Sequence, residues 1–411
     1  MTRGLGLGPR GLRDFDSVLL FSVLALLAIG VAFIYSATVE NYQVPSPLHT
    51  RQIIWAIIGL GVLVLAMSLP VQFWFTTSYF FYGVSIVALM ILLVLPGTSG
   101  SRWFEFPLGL RLQPSELAKV ATVLAAACYL SGRNVSFRRV RDVLIPIALT
   151  GLPFLLVARQ PDLGTAAVFP AIILPMLYWR GLPLWAIFLI CSPILSVVTA
   201  FSPYTWGLGL IVVGIVLWRS RLRPVIVAAV VLVNVGLGVA TPMAWQGMRE
   251  YQRQRIATFL NPQEDPLGAG YQIIQSTVAV GSGGLVGKGY LEGTQTKLNF
   301  LPEQHTDFIF SVIAEETGMV GALVVLLLFG VILFRFMRAA AEVKNPFAEL
   351  VVVGAGAVLF CHFVVNVGMA LGLLPITGLP LPFVSYGGSH LLSQMLLVGL
   401  VLGFRMRWME Y

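Results

Sequence analysis

Charge is scarce in this sequence. Asp, Glu, Lys and Arg make up 11% of its 411 residues, hydrophobic residues 57%, and the mean hydropathy is +0.87. Soluble domains carry about 25% charged residues, so a soluble globule is excluded and an all-α polytopic membrane protein is expected. Cysteine is nearly missing as well. Cys128, Cys191 and Cys361 lie in separate apolar runs without paired spacing, which leaves no disulfide framework and no zinc site, and they read as core residues. No Gly-Lys-Ser or Gly-Lys-Thr follows the glycines, so a P-loop is excluded. No repeat of about 20–50 residues is visible and no matched pair of broken helices occurs in two halves, which weakens a transporter reading. The net charge of +8 marks cytoplasmic loops and anionic lipid; nucleic acid is not implied as a partner.

Long apolar runs are abundant. A basic tail over 1–16, with Arg3, Arg10 and Arg13, precedes a run from Ser17 to Ala37. At roughly twenty residues this run spans a ~30 Å hydrocarbon core, and it lacks the small-residue site of a cleaved signal. Further runs cover 51–69, 75–96, 114–131, 142–158, 163–179, 183–200, 204–218, 223–242, 306–334, 348–373 and 385–404. That makes twelve, with 204–218 marginal as a span. With the amino terminus inside, the clusters Arg133/Arg138/Arg139/Arg141, Arg180, Arg219/Arg221/Arg223, Arg335/Arg338/Lys344 and Arg405/Arg407 all fall inside, as the positive-inside rule requires. An even number of spans is therefore expected, with cytoplasmic tails over 1–16 and 405–411 and one long extracytoplasmic loop over 243–305.

The polar segments assigned to the outer face carry the candidate chemistry. Between Asn299 and Gly321, Glu303, His305, Asp307, Glu315 and Glu316 fall within fourteen positions at the seam between the long loop and an apolar span. Any one of them serves as an interfacial cap; the cluster points to function, because carboxylates near hydrocarbon cost several kcal/mol unless paired or hydrated. Asp307 is the carboxylate most tightly flanked by loop and helix start, where partial burial raises a pKa. In Gln113–Lys119, Pro114 suits a first helical turn and Gln113 or Ser115 a cap, while Glu116 and Lys119 share a face at i,i+3 as a structural ion pair or a catalytic one. Trp103 reads as an interfacial anchor or a sugar-stacking surface, with Arg102 available for phosphate. Asp162 after Pro161 reads as an N-cap. From Met243 an amphipathic surface helix is expected, then a glycine-rich stretch in which Lys288 and Lys297 are solvated or meet diphosphate.

Four stretches, SRWFEF...QPSELAK, RQPDLGTA, YQRQRIATFLNPQEDPLGAGYQIIQSTVAVGSGGLVGKGYLEGTQTKLNFLPEQHTDFIFSVIAEETG and NVGMALGLLPITGLPLPFVSYGGS, together resemble the SEDS family (shape, elongation, division and sporulation) of peptidoglycan glycosyltransferases. GTQTKLNFLPEQHTDF is closer to its RodA branch than to its FtsW branch. The resemblance spans nearly the whole chain. It departs at His390, where the family usually has Ser or Ala, and in two helices beyond the family's usual ten, assigned to 183–218.

The resemblance implies polymerisation of lipid II at the outer face of the bacterial cytoplasmic membrane, for cell elongation and rod shape. Asp307 matches the family's catalytic aspartate and would act as general base toward the acceptor hydroxyl. Arg51, Arg102, Trp103, Gln113, Glu116, Lys119, Asp162, Lys288, Glu303, His305, Thr306, Glu315 and Ser385 are expected around the active cavity. Basic residues or a divalent cation, Mg or Mn, would stabilise the departing diphosphate, with no metal ligands assigned. Expected partners are a class B penicillin-binding protein and other elongation-complex membrane proteins. A flippase or transporter of lipid-linked precursors is the alternative.

Overall fold

The computed structural model describes residues 15–38, 48–94, 102–106, 110–132, 135–137, 139–247, 253, 258, 261–266, 268, 270–298 and 300–407. Each of the twelve apolar runs forms a helix. They are α1 Ser17–Ser36, α2 Leu48–Ser68, α3 Val71–Val94, α4 Pro114–Leu130, α5 Val140–Ala158, α6 Leu163–Trp179, α7 Leu184–Thr199, α8 Pro203–Ser220, α9 Pro224–Gly247, α12 Ile309–Glu342, α13 Pro346–Ala370 and α14 Gly388–Met406. Between α9 and α12 lie α10, Tyr271–Ser282, and the single turn α11, Thr294–Lys297. A two-stranded antiparallel hairpin, β1 Phe104–Phe106 and β2 Leu110–Leu112, precedes α4. Among the described residues eight helices are long and apolar enough to cross a membrane, and α6 and α7 are shorter apolar helices. The chain is a multi-pass, all-α membrane protein. Most of the amphipathic helix expected from Met243 lies outside the described residues; Met243–Gly247 complete α9.

Two compact units can be separated, residues 1–176 with 270–411, and residues 177–269. In the first, α4, α13 and α14 are the most enclosed helices. Close approach is possible because glycine replaces a side chain where backbones meet: a Cβ at Gly403 would lie 2.9 Å from Met67 Cα, on α2. One end of this unit is tied by charge. Buried Asp16 accepts from Leu19 N–H as the α1 cap, from Arg335 Nε at 2.7 Å and from Arg405 NH1, and Arg405 Nε also donates to Glu342 at 3.0 Å. The second unit holds α7, α8 and α9. Its apolar core is thin, Leu189, Val213 and Leu217, and is supplemented by a buried polar trio: Asn234 Nδ2 donates to Ser192 Oγ at 2.9 Å and Ser196 Oγ to Asn234 Oδ1 at 2.7 Å. Small polar side chains bonding between helices suit a lipid environment, where apolar contact alone distinguishes poorly between helix and lipid.

The glycine-rich stretch, expected as loop, is folded onto α12. That helix is broken at Gly318 (φ 66°, ψ −162°), a conformation closed to residues with a Cβ. The break removes the i→i−4 bonds that Met319 and Val320 N–H would make to the carbonyls of 315 and 316. Returning chain replaces all four groups: Met319 N–H donates to Gly284 O at 2.9 Å, Val320 N–H to Leu285 O at 3.2 Å, Lys288 N–H to Glu315 O at 3.1 Å, and Gly289 N–H to Glu316 O at 2.9 Å. Gly287 (φ 82°) lies so close that a Cβ there would run into Glu316 O. These four groups are thus paired, where leaving them bare in a membrane protein would cost several kcal/mol each.

Candidate active site

Asp307 sits in the turn that enters α12. Thr306 and Asp307 N–H both donate to Glu303 O at 3.1 Å, so the turn closes on itself. The carbonyls of its last three residues are each held from elsewhere. His305 O accepts Tyr386 N–H at 3.0 Å, Thr306 O accepts Ser385 Oγ at 2.6 Å, and Asp307 O accepts Asn366 Nδ2 at 2.8 Å. Ser385 Oγ in turn accepts Leu381 N–H at 2.8 Å, and Gln52 Nε2 donates to Ser385 O at 3.3 Å. Gly378 faces the carboxylate: a Cβ there would stand 3.6 Å from Asp307 Oδ2.

The Asp307 side chain does not cap α12, whose N-cap position is Phe308 with no side-chain cap bond. Among the described residues nothing donates a hydrogen bond to its carboxylate. Burial, then the charges of Glu303 and Asp162, push its pKa up to about 6, and the nearby Arg102 guanidinium opposes this. Desolvation disfavours the ionised form first, and like charges add to it.

Arg102 and Asp162 form the facing wall. Arg102 NH2 donates to Pro161 O at 2.6 Å, and its NH1 lies 3.8 Å from Asp162 Oδ1. Asp162 accepts Thr165 N–H at 3.2 Å as the cap of α6, as its position after Pro161 suggested, and Gln113 Nε2 at 3.3 Å. The Gln113 side chain therefore reaches Asp162 and does not cap α4; its N–H is taken by Ser389 Oγ at 3.1 Å. Trp103 is half-buried beside Arg102. Glu303 is exposed, with Thr306 Oγ1 donating to its Oε2 at 3.2 Å. His305 tilts against Tyr386, and burial lowers its pKa below the usual imidazole range while Glu303 opposes the shift.

Three expected cavity residues are placed apart from this group. Glu315 is eight residues along α12 from Asp307, about 12 Å at 1.5 Å per residue. Its Oε1 accepts Lys288 Nζ at 2.6 Å, Gln295 N–H at 3.0 Å and Thr294 Oγ1 at 3.1 Å. Lys288 and Glu315 thus latch the returning loop onto α12, and Glu316 does the same through Leu291 N–H at 3.2 Å. Lys297, the other lysine considered for diphosphate, lies 3.1 Å from Glu292. Arg51 is exposed on the first turn of α2, where its neighbour Gln52 is the residue that reaches Ser385.

Glu116 and Lys119 form a buried pair at 2.7 Å, within a wider network. Lys119 Nζ is also 2.8 Å from His362 Nε2, and Glu116 Oε2 meets His390 Nδ1 at 3.1 Å and Ser393 Oγ at 2.8 Å. His362 Nδ1 lies 3.2 Å from Pro380 O. A carbonyl only accepts, so His362 carries its proton on Nδ1 and offers Nε2 to the ammonium; the same logic puts a proton on His390 Nδ1. Glu116, His362 and His390 offer ligand atoms within 4.8 Å of one another. The Lys119 ammonium bonds two of those three groups, so this chain supplies its own cation there, and a dication added beside it would face a buried positive charge.

Asn366, His362, Gln52 and Ser389 were not singled out from the sequence. Asn366 and His362 carried a usable signal, as polar residues inside an apolar run that lipid does not tolerate unpartnered.

Comparison with known proteins agrees with this architecture. The family model for FtsW, RodA and SpoVE, described as cell cycle protein, matches residues 17–206 and 204–407. The peptidoglycan glycosyltransferase RodA of Treponema pallidum (strain Nichols) is 35% identical over 434 residues, covering 97% of this chain and 99% of the relative. The peptidoglycan glycosyltransferase MrdB of Escherichia coli (strain K12) is 36% identical over 390 residues, covering 94% and 92%. Among solved structures, a chain from work on how a peptidoglycan synthase complex coordinates polymerization and crosslinking has a TM-score of 0.72 at 32% identity, covering 97% of this chain and 99% of its own length. The Thermus thermophilus rod shape determining protein RodA has a TM-score of 0.62 at 29% identity, with 96% and 98% covered. The motifs, the helical architecture and full-length matches of this kind have one common explanation: the chain belongs to the FtsW/RodA/SpoVE family.

Proposed function

We propose that this protein is a peptidoglycan glycosyltransferase that polymerises lipid II into glycan strands at the outer face of the cytoplasmic membrane, serving elongation. The observation that carries this reading is the Asp307 carboxylate: partly buried, used by no cap, and with a pKa pushed up to about 6 beside Arg102. Such a group is ionised at neutral pH yet basic enough to take a proton. In the reaction the acceptor sugar's 4-hydroxyl attacks the anomeric carbon of the donor, the glycosidic bond forms, and the bond to the lipid diphosphate breaks with the electron pair leaving on the phosphate oxygen. Asp307 takes the hydroxyl proton as attack proceeds. Arg102, a rigid fork of N–H donors, is placed to meet the phosphate charge.

Asp307, Asp162 and Glu303 together offer carboxylate oxygens of the kind Mg or Mn prefers, and one guanidinium does not balance three acids. A divalent cation held there would neutralise the departing diphosphate. Among the described residues the three acids are not gathered into one ligand set, so the diphosphate would bring part of the ion's coordination, and Arg102 would remain the protein's own cation.

The test is purified protein with labelled lipid II in detergent. Wild type should form glycan strands without any second compartment, and Asp307→Asn, folded and still binding lipid II, should lose about 10²-fold or more in rate. An Asp307→Asn variant that polymerises at close to the wild-type rate would sink the assignment. A protein that moves lipid II between leaflets but makes no strands would return the flippase reading.

A further inference from the structure

A base is only as good as its aim, and nothing among the described residues bonds the Asp307 carboxylate itself. Its direction is therefore set by its main chain. That main chain is gripped by Asn366, a fully buried residue in the last two turns of α13. Both hydrogens of one amide are used: Asn366 Nδ2 donates to Asp307 O at 2.8 Å and to Leu379 O at 2.8 Å. The amide orientation is unambiguous, because the opposite flip would point an oxygen at two carbonyls. One turn earlier on the same helix face, His362 bonds the next carbonyl, Pro380 O, at 3.2 Å. So α13 presents two side chains, four residues apart, to two consecutive carbonyls of the loop whose Gly378 faces Asp307 Oδ2. Asn366 joins that loop to the Asp307 turn from α13, beside Ser385, whose Oγ holds the neighbouring Thr306 O from within the loop.

We propose that Asn366 is a positioning residue for the transfer reaction. By donating to the Asp307 and Leu379 carbonyls at once, it holds the Asp307 carboxylate at a set distance from the Gly378 wall and thus from the acceptor hydroxyl. The proposal rests on the reading of Asp307 as base. Glycosyl transfer needs the base within hydrogen-bond reach of the attacking hydroxyl, and a displacement of about 1 Å costs on the order of 10²-fold in rate. Loss of the clamp lets the turn shift while the substrate-binding surfaces, Arg102 and Trp103 on separate elements, stay in place. The effect should appear in kcat and not in KM.

The experiment uses the full-length protein and labelled lipid II, with rates expressed per folded molecule. The variants are Asn366→Ala and the isosteric Asn366→Asp, each alone and combined with Asp307→Asn. Expected for either single variant is a fall in kcat of about 10- to 100-fold with KM changed less than about threefold, and an acid limb of the pH profile that stays near that of wild type. In the Asp307→Asn background the same Asn366 change should cost less than about threefold, because a residue that acts through Asp307 has nothing left to position. Unchanged kcat in the single variants, an undiminished further loss in the double variant, or failure of both variants to fold would overturn the proposal. Failure of the underlying reading shows separately, as near-wild-type activity in Asp307→Asn with Asn366 intact.

Discussion

Asp307 illustrates a conflict between stability and use. Its folded-state pKa of about 6 lies above the ordinary value of 3.8. A group whose pKa is raised by folding contributes stability below its unfolded pKa and loses that contribution as pH rises through the folded value, here between about 4 and 6. Above pH 6 the ionised carboxylate therefore weighs against the fold, by up to roughly 3 kcal/mol from a two-unit shift at 1.36 kcal/mol per unit. Since no amide depends on it as a cap, Asp307→Asn should raise the melting temperature at pH 7.5, with the gain vanishing below about pH 4. Thermal unfolding across pH in one detergent checks this, and a variant less stable than wild type at pH 7.5 would show a hidden structural role. Activity should move the other way, rising through about pH 6 in wild type as the base ionises.

Glu116 makes a second residue-scale case. Reversing it together with Lys119 should restore more folded protein than either single reversal, since breaking a buried pair from one side costs about 3–5 kcal/mol. Recovery should stop short of wild type, because His390 and Ser393 would then aim their donors at an ammonium. The monodisperse yield on size exclusion measures this; a double variant no better than the product of the singles would refute the pairing.

At the scale of elements, the broken α12 and the loop that repairs it act as one unit. Gly318 has φ 66° with ψ −162°, and Gly287 has φ 82° with no room for a Cβ. Gly318→Ala or Gly287→Ala should loosen residues 283–297, seen as faster amide exchange there, whereas Gly61→Ala on α2, with nothing within 4 Å of the added Cβ, should be neutral or stabilising by up to about 1 kcal/mol. Equal exchange in all three variants would mean that the break does not depend on glycine. The latch bonds of Glu315 and Glu316 explain why acids at this depth are tolerated: their oxygens meet Lys288, two hydroxyls and two backbone amides.

For the whole molecule, sidedness is the property that decides whether the chemistry works. The Asp16, Arg335 and Arg405 network ties α1, α12 and α14 at the end of α12 remote from Asp307. Cysteines introduced at Trp103 and Asp307 should therefore react with an impermeant reagent from outside the cell, and those at Arg139 and Arg221 only after permeabilisation. Labelling of positions 103 and 139 from the same side would overturn the topology. A class B penicillin-binding protein is proposed as partner, with the outward apolar face of α12, including Met319, Leu323 and Leu327, as its docking surface. Recovery of such a transpeptidase with the purified protein should exceed that of an unrelated membrane protein, and equal recovery would count against the pairing.

The existence and order of the long helices were legible in the sequence because lipid forces backbone bonds into helices and keeps charge out of them, although α9 and α12 run five and eight residues past the ends of their apolar runs. Twelve apolar runs became twelve helices, and Gln113, Pro161, Asp162 and Asp307 stand at helix entries where carboxylates and turns were expected. What hydropathy could not show was which acids share a site. Glu303, Asp307, Glu315 and Glu316 look like one cluster along the chain, yet a helix advances 1.5 Å per residue, so Glu315 and Glu316 are carried a turn or more inward and meet a loop from the other side. Gly318 reads as an ordinary helical position until the φ angle is seen. The same limit hid Asn366 and His362: their composition marks them as costly, but only the packing of α13 against the loop over 374–387 decides that their hydrogens reach Asp307, Leu379 and Pro380, because hydrogen bonding is set by direction and distance and not by order along the chain.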